Sequence, residues 1–189
     1  MSDIKSVIQA PDVAELLPLY PELRGLVNHL STPKAKRPPF YAIYSAEILP
    51  GDDPKGLPVI PKDSRHLEAI ERVLGANNGR VNLFYIDDEV YMIDVHEIRS
   101  IHTPDIQLTT YLINSNLTKR AAMNSRNILD QIVEDIWEKI QEQAKTNGQD
   151  LANFLSNTVF FVDFRFNILN GINGVDVIES LKLRAKLES

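Results

Sequence analysis

The sequence contains no cysteine, which excludes disulfide bonds, iron–sulfur clusters, thiolate zinc sites and a cysteine nucleophile. It also lacks a long hydrophobic run: its longest apolar stretches are about five residues, whereas a membrane helix needs about 20. The first residues lack the basic and then apolar pattern of a secretory signal peptide. We therefore expect a chain that is neither secreted nor embedded in a membrane.

Motifs of the common catalytic classes are missing as well. The sequence has no Gly-x-Ser-x-Gly nucleophile elbow and no glycine-rich phosphate-binding loop. The formal net charge of −6 argues against broad binding to nucleic acid or to an anionic membrane. These absences predict a protein that is not an enzyme, that needs no cofactor and that does not bind nucleic acid.

Proline is present but concentrated at one end of the chain. Ten of the eleven prolines lie in the first 61 residues, and only Pro104 lies beyond them. Proline fixes φ and removes a backbone donor, so it interrupts helices and strands. The distribution predicts two parts, a proline-rich N-terminal arm with short helices over residues 1–61 and an α+β body over residues 62–189. Residues 31–39, which lack apolar periodicity, are expected to form an extended linker within the arm.

Hydrophobic periodicity predicts the main elements of the body. Residues 118–145 carry a wide apolar stripe at helical spacing, which indicates one long amphipathic helix with Trp137 in the core. Residues 159–168 alternate apolar and polar side chains, two Asn-Gly pairs follow, and residues 175–187 alternate again. This pattern is typical of an antiparallel hairpin. The expected fold class is therefore α+β, with an antiparallel or mixed sheet, the long helix packed on it, and the extended proline-rich arm.

A group of metal-ligand residue types lies near a second predicted hairpin, over residues 81–95. Asp87 and Asp88 lie in its turn, and Asp94 and His96 lie on or just after its second strand. Carboxylate oxygens bind hard cations, and histidine with carboxylate binds zinc. The spacing matches neither the helical zinc-protease motif nor a calcium-binding loop. We therefore expect a solvated turn, with a metal-dependent enzyme as a weak alternative.

Three sets of charged residues are candidates for contacts with other proteins. They are the linker residues Lys34, Lys36 and Arg37, the stripe Lys182, Arg184 and Lys186, and the long-helix residues Glu134, Glu138 and Glu142. The basic stripe and the acidic helix face would be complementary surfaces of one protomer, which permits head-to-tail association into a ring or filament. The linker set offers an alternative, a soluble adaptor or regulator that binds one protein partner through residues 31–39.

The order of the predicted elements resembles that of small virion proteins of tailed phages, with tail-terminator and neck proteins as the nearest class. The elements concerned are the strand over residues 106–113, the long helix that ends at Lys145 and the terminal hairpin. The resemblance implies helices packed on one sheet and protomers arranged in rings. On this basis we expect a non-enzymatic structural or assembly protein that contacts its own copies and other protein subunits. Its expected location is the virion, or the cytoplasm if the resemblance does not hold.

Overall fold

The structure is a computed structural model that describes residues 11–33, 37–46, 48–76, 80–87, 106–113, 125–166 and 171–188. Its helices are α1 (Pro11–Leu16), α2 (Arg24–Ser31), α3 (Ser64–Gly75), α4 (Ser125–Thr146), α5 (Leu151–Ser156) and α6 (Gly174–Glu188), with a 3-10 turn at Pro21–Leu23. Its strands are β1 (Phe40–Ser45), β2 (Val59–Pro61), β3 (Val81–Asp87), β4 (Ile106–Leu112) and β5 (Thr158–Val162).

The five strands form one sheet in the order β2-β1-β5-β3-β4, and every neighbouring pair is parallel. The expected antiparallel or mixed sheet is therefore wrong. The central strand β5 pairs with β1 on one side and with β3 on the other, so that Phe160 lies beside both Tyr41 and Phe84. A parallel sheet covered by helices on both faces places this molecule in the α/β class.

The parallel pairing of the strands was not predicted because β5 is apolar on both of its faces. Phe160 and Val162 face one hydrophobic core, while Val159 and Phe161 face the other. Every residue of this strand is buried. A continuous apolar run is what a central strand of a parallel sheet requires, whereas a half-buried antiparallel strand has one polar face. Asp163 and Arg165, polar positions on which the predicted alternation rested, lie after the end of β5 at Val162.

The predicted terminal hairpin is also wrong, because its second half is the helix α6. The residues Ile178, Leu181 and Ala185 lie three and four positions apart and are buried together, as helical periodicity requires. Asn173 and Asp176 begin the helix with a reciprocal capping arrangement: each backbone N–H donates to the other side chain, at 2.9 and 3.2 Å. The Asn-Gly signal therefore belongs to a strand-to-helix connection.

Helices cover the two faces of the sheet and create two cores. One core contains α4, α5 and α6, with Trp137 buried at its centre as predicted. The other contains α1, α2 and α3. The long amphipathic helix is confirmed over Ser125–Thr146, while residues 118–124 of the prediction lie outside the described residues.

Residues expected to form an arm contribute to this compact arrangement. β1 and β2 are two of the five strands of the sheet, and apolar side chains of α1 and α2 lie in the second core. The described part of residues 1–61 thus packs into the body instead of extending from it. In the portion of the chain that the structure describes, no helix has the length and hydrophobicity needed to cross a membrane.

Candidate functional site

The carboxyl ends of the parallel strands provide the natural place for a site. The chain runs from β1 to its neighbour β2 on one side of the sheet and from β3 to its neighbour β4 on the other. β5 lies between β1 and β3, so the direction of the connections reverses there. In open α/β sheets, ligands bind in the crevice at such a reversal, beyond the carboxyl ends of the strands.

Four polar residues lie at these ends. Ser45 and Asp87 are the last residues of β1 and β3, and Lys62 and Asp163 directly follow β2 and β5. The backbone holds the ends in register: the Lys62 N–H donates to the Ser45 carbonyl at 2.9 Å, and the Asp163 N–H donates to the Ile86 carbonyl at 2.9 Å. We call these four residues, together with Tyr85, the carboxyl-end cluster.

Lys62 is the centre of the cluster. Its ammonium group donates to Asp87 Oδ2 at 2.7 Å and lies 3.3 Å from Asp163 Oδ2. Ser45 Oγ donates to Asp163 Oδ1 at 2.5 Å and accepts the backbone N–H of Phe164 at 2.7 Å. One lysine thereby links two carboxylates that arrive from different strands.

Two tyrosines, Tyr44 and Tyr85, pack against the cluster on one face of the sheet. Tyr85 donates its hydroxyl to Asp87 Oδ2, and the Lys62 ammonium lies 5.5 and 5.9 Å from the ring centres of Tyr85 and Tyr44. The Lys62 and Asp87 side chains are each 6% exposed, while that of Asp163 is 19% exposed. Asp163 is therefore the carboxylate of the cluster with the greatest access to solvent or to a ligand.

Burial sets the proton affinity of Asp163. Burial and then the charge of the neighbouring Asp87 raise the pKa of this carboxyl to about 6, against the attraction of Lys62. An aspartate with such a pKa exchanges its proton near physiological pH. Groups of this kind concentrate at functional sites.

Lys62 and Tyr85 keep their protons at neutral pH. Burial disfavours the charge on Lys62, but Asp87 and Asp163 outweigh that effect and raise the pKa of Lys62 above its usual value. Burial, and then the charge of Asp87, raises the pKa of Tyr85. Lys62 stays a cation and Tyr85 stays a hydrogen-bond donor while Asp163 titrates.

A close backbone approach fixes the segment after β5. The Gly174 N–H donates to the Phe164 carbonyl at 2.9 Å. A Cβ atom on Gly174 would lie 2.1 Å from the carbonyl oxygen of Asp163. Glycine is therefore required for α6 to begin against the backbone of the cluster residue Asp163.

Of the four residues predicted as weak metal-ligand candidates, the structure describes Asp87 alone. Asp87 lies in the carboxyl-end cluster, where it pairs with Lys62 and Tyr85. Asp88, Asp94 and His96 lie outside the described residues. Across the ranges that the structure describes, no group of three or more histidine, aspartate or glutamate side chains is arranged to hold a metal ion.

Sequence reasoning missed Ser45, Lys62, Tyr85 and Asp163 as functional residues. Their shared signal is position, because each is a polar residue at or near the end of an apolar strand. That signal has meaning only if the strands are parallel, since an antiparallel sheet would place alternate strand ends at opposite edges.

Arg37, predicted to contact a partner, is engaged within the chain. It is 5% exposed and donates to the carbonyl of Ser156 at 2.5 Å, to the carbonyl of Leu30 at 3.2 Å and to Asn157 Oδ1 at 2.7 Å. This differs from the interaction role expected for the linker. Lys34 and Lys36 lie outside the described residues.

The C-terminal basic residues lie on a helix and not on a strand. Arg184 pairs with Glu134 of α4 at 2.9 Å and lies 5.6 Å from the ring centre of Trp137. Lys182 lies 5.5 Å from the ring centre of Tyr41. Part of the complementary charge that we expected between protomers is thus satisfied inside one protomer.

The remaining charged candidates stay at the surface. Lys186 on α6 and Glu138 and Glu142 on α4 are exposed. Their role in contacts with other subunits stays a prediction.

Comparisons of the chain with protein-family models, with curated proteins and with solved structures find no match. A function for this chain must therefore be argued from the geometry of its own residues.

Proposed function

We propose that the protein binds a small polar molecule at the carboxyl-end cluster and exchanges a proton with it through Asp163. The observation that carries this proposal is the partly exposed Asp163 carboxyl, whose pKa is about 6, at the reversal point of a parallel sheet. A general acid or base works best when its pKa lies near the working pH. This proposal differs from the expectation of a non-enzymatic protein, which stays a prediction.

The charge of the cluster favours one class of ligand. Lys62 balances one of the two carboxylates, so the cluster is neutral when Asp163 is protonated and carries one negative charge when it is ionised. Such a site attracts amines and hydroxyl donors and disfavours phosphates. We therefore propose a ligand that presents an amine or several hydroxyl groups.

Each residue has a distinct part in the proposed chemistry. Asp163 accepts or donates the proton, and the Lys62 ammonium stabilises the ionised form of Asp163. Asp87 and Ser45 are positioning residues, since Asp87 holds Lys62 and Ser45 holds the second oxygen of Asp163. Tyr85 in turn positions Asp87.

Thermal unfolding of the full chain tests ligand binding directly. The probes are monosaccharides and polyols, amino acids and polyamines, nucleotides, and inorganic phosphate. We expect an amine or polyol class to raise the Tm by mass action and phosphate to have no effect. The D163N variant should lose the response, while D150N, which alters the carboxylate that caps α5, should keep it. A panel without any response, or an equal response in D163N, contradicts the proposal.

An assembly role is the second candidate function. Leu183 and Leu187, one turn apart on α6, are 59% and 76% exposed. Contiguous exposed apolar surface often marks a contact with another protein. The ring-forming virion component therefore stays a proposal, which native mass measurement tests. The adaptor role of residues 31–39 stays a prediction without a described surface to support it.

A further inference from the structure

A groove between α4 and α6 is the clearest surface outside the carboxyl-end cluster. Val133 of α4 lines it, while Leu183 and Leu187 line it from α6. Val133 is largely buried, whereas the two leucines project into solvent. The surface therefore combines an apolar recess at Val133 with an apolar ridge formed by Leu183 and Leu187.

Both signs of charge border this apolar surface. Asp130 and Glu134 line the groove from α4, and Arg184 lines it from α6. Lys186 of α6 is exposed next to the ridge. Glu134 and Arg184 already pair with each other, which leaves Asp130 and Lys186 as groups of opposite charge for an external partner.

We propose that this groove is the contact between two copies of the chain, related by a twofold axis. In such a contact the leucine ridge of each copy lies in the recess of the other, and Lys186 of each copy approaches Asp130 of the other. A twofold contact needs a patch that is complementary to itself, and a single patch here supplies ridge, recess, acid and base. The contact does not depend on the carboxyl-end cluster, and it differs from a ring-forming contact because a twofold contact closes at two copies.

Sedimentation and native mass spectrometry of the full chain over a range of concentrations test the contact. We expect a dimer, and we expect L183D to raise the dissociation constant of the dimer at least tenfold, which corresponds to about 1.4 kcal/mol. The matched control is L19D, because Leu19 is also strongly exposed, at 73%, but belongs to the segment after α1. Circular dichroism verifies that each variant folds.

Exchanging the charges of Asp130 and Lys186 distinguishes the proposed contact from nonspecific association. D130K and K186D should each weaken the dimer, and the D130K/K186D double variant should recover it, because the opposite charges meet again across the axis. A monomeric wild-type chain at high concentration, a ring or filament mass, or a dimer that L183D leaves intact would overturn the proposal. The response to small molecules is measured separately with D163N, so the two proposals fail independently.

Discussion

The strands of the parallel sheet begin at one edge, which we call the amino edge, and end at the other, the carboxyl edge. Among the residues that the structure describes, a buried cation lies at each edge, but its chemical surroundings differ. Arg37 precedes β1 at the amino edge and donates to neutral oxygens from Leu30, Ser156 and Asn157. Lys62 follows β2 at the carboxyl edge and pairs with Asp87 and Asp163. A cation among neutral acceptors fixes geometry, whereas a cation between carboxylates also controls where a proton resides.

The titration behaviour of the two edges follows from this difference. At the amino edge, burial and then the charge of Arg37 lower the pKa of His29 to about 4, so this histidine is neutral at physiological pH. At the carboxyl edge the pKa of Asp163 is raised to about 6. The amino edge therefore keeps a constant charge near neutral pH, and the carboxyl edge changes its charge there.

Removing the cation of the carboxyl edge should have the largest effect. K62M leaves two carboxylates without their counter-charge, and we expect a loss of about 3–5 kcal/mol in the free energy of unfolding at pH 7. The loss should be smaller at pH 5, because protonation of Asp163 removes one of the two charges. Urea unfolding at both pH values measures this, with K145M on the exposed end of α4 as control. An equal loss at both pH values would show that Lys62 does not balance a titrating carboxylate.

Removing the cation of the amino edge should cost less and should not depend on pH. R37M leaves three oxygens without their charged donor, for a loss of about 3 kcal/mol. Because those acceptors are neutral, the loss should be constant between pH 6 and pH 8. R37K should recover only part of it, since an ammonium cannot reproduce the planar fork of the guanidinium. A pH-dependent loss in R37M would break the contrast between the edges.

The predictability of the structure from the sequence differs between its elements. The helix Ser125–Thr146 could be predicted because its apolar side chains recur at helical spacing over a long stretch. The strand Ile106–Leu112 could be predicted because it is a short run rich in residues that favour strands. The sheet direction could not, because Thr158–Val162 is apolar on both faces. The helix Gly174–Glu188 was mistaken for a strand because part of its apolar set also satisfies a period of two.

The candidate site was predictable only in part for a related reason. Asp87 stood out in the sequence because other acidic residues follow it directly. Ser45 and Asp163 are separated by 118 positions along the chain, and only the strand order places them side by side. A local pattern cannot supply that proximity before the topology is known.

A methyl group at Gly174 tests whether the close approach of α6 to the backbone of Asp163 also sets the position of the Asp163 side chain. G174A forces α6 away from the Asp163 carbonyl, and we expect a loss of about 1–3 kcal/mol together with an altered pKa of Asp163. G171A is the matched control, because Gly171 has a φ of +80° but no atom within 4 Å of an added Cβ. That control should lose stability through backbone strain alone and keep the pKa of Asp163. Equal pKa values in both variants would contradict a positioning role for Gly174.

The smallest expected effect is the most specific to the carboxyl edge. Carboxyl-detected NMR should show Asp163 titrating at about 6, above the ordinary value of 3.8. Because the folded protein holds this proton more tightly than the unfolded chain, the contribution of Asp163 makes stability fall as the pH rises from about 4 to about 6. D163N should remove this contribution to the slope, while R37M, at the opposite edge, should leave the pKa of Asp163 unchanged. A titration of Asp163 near 3.8 would show that the two edges differ only in their hydrogen-bond partners and not in their ability to exchange a proton.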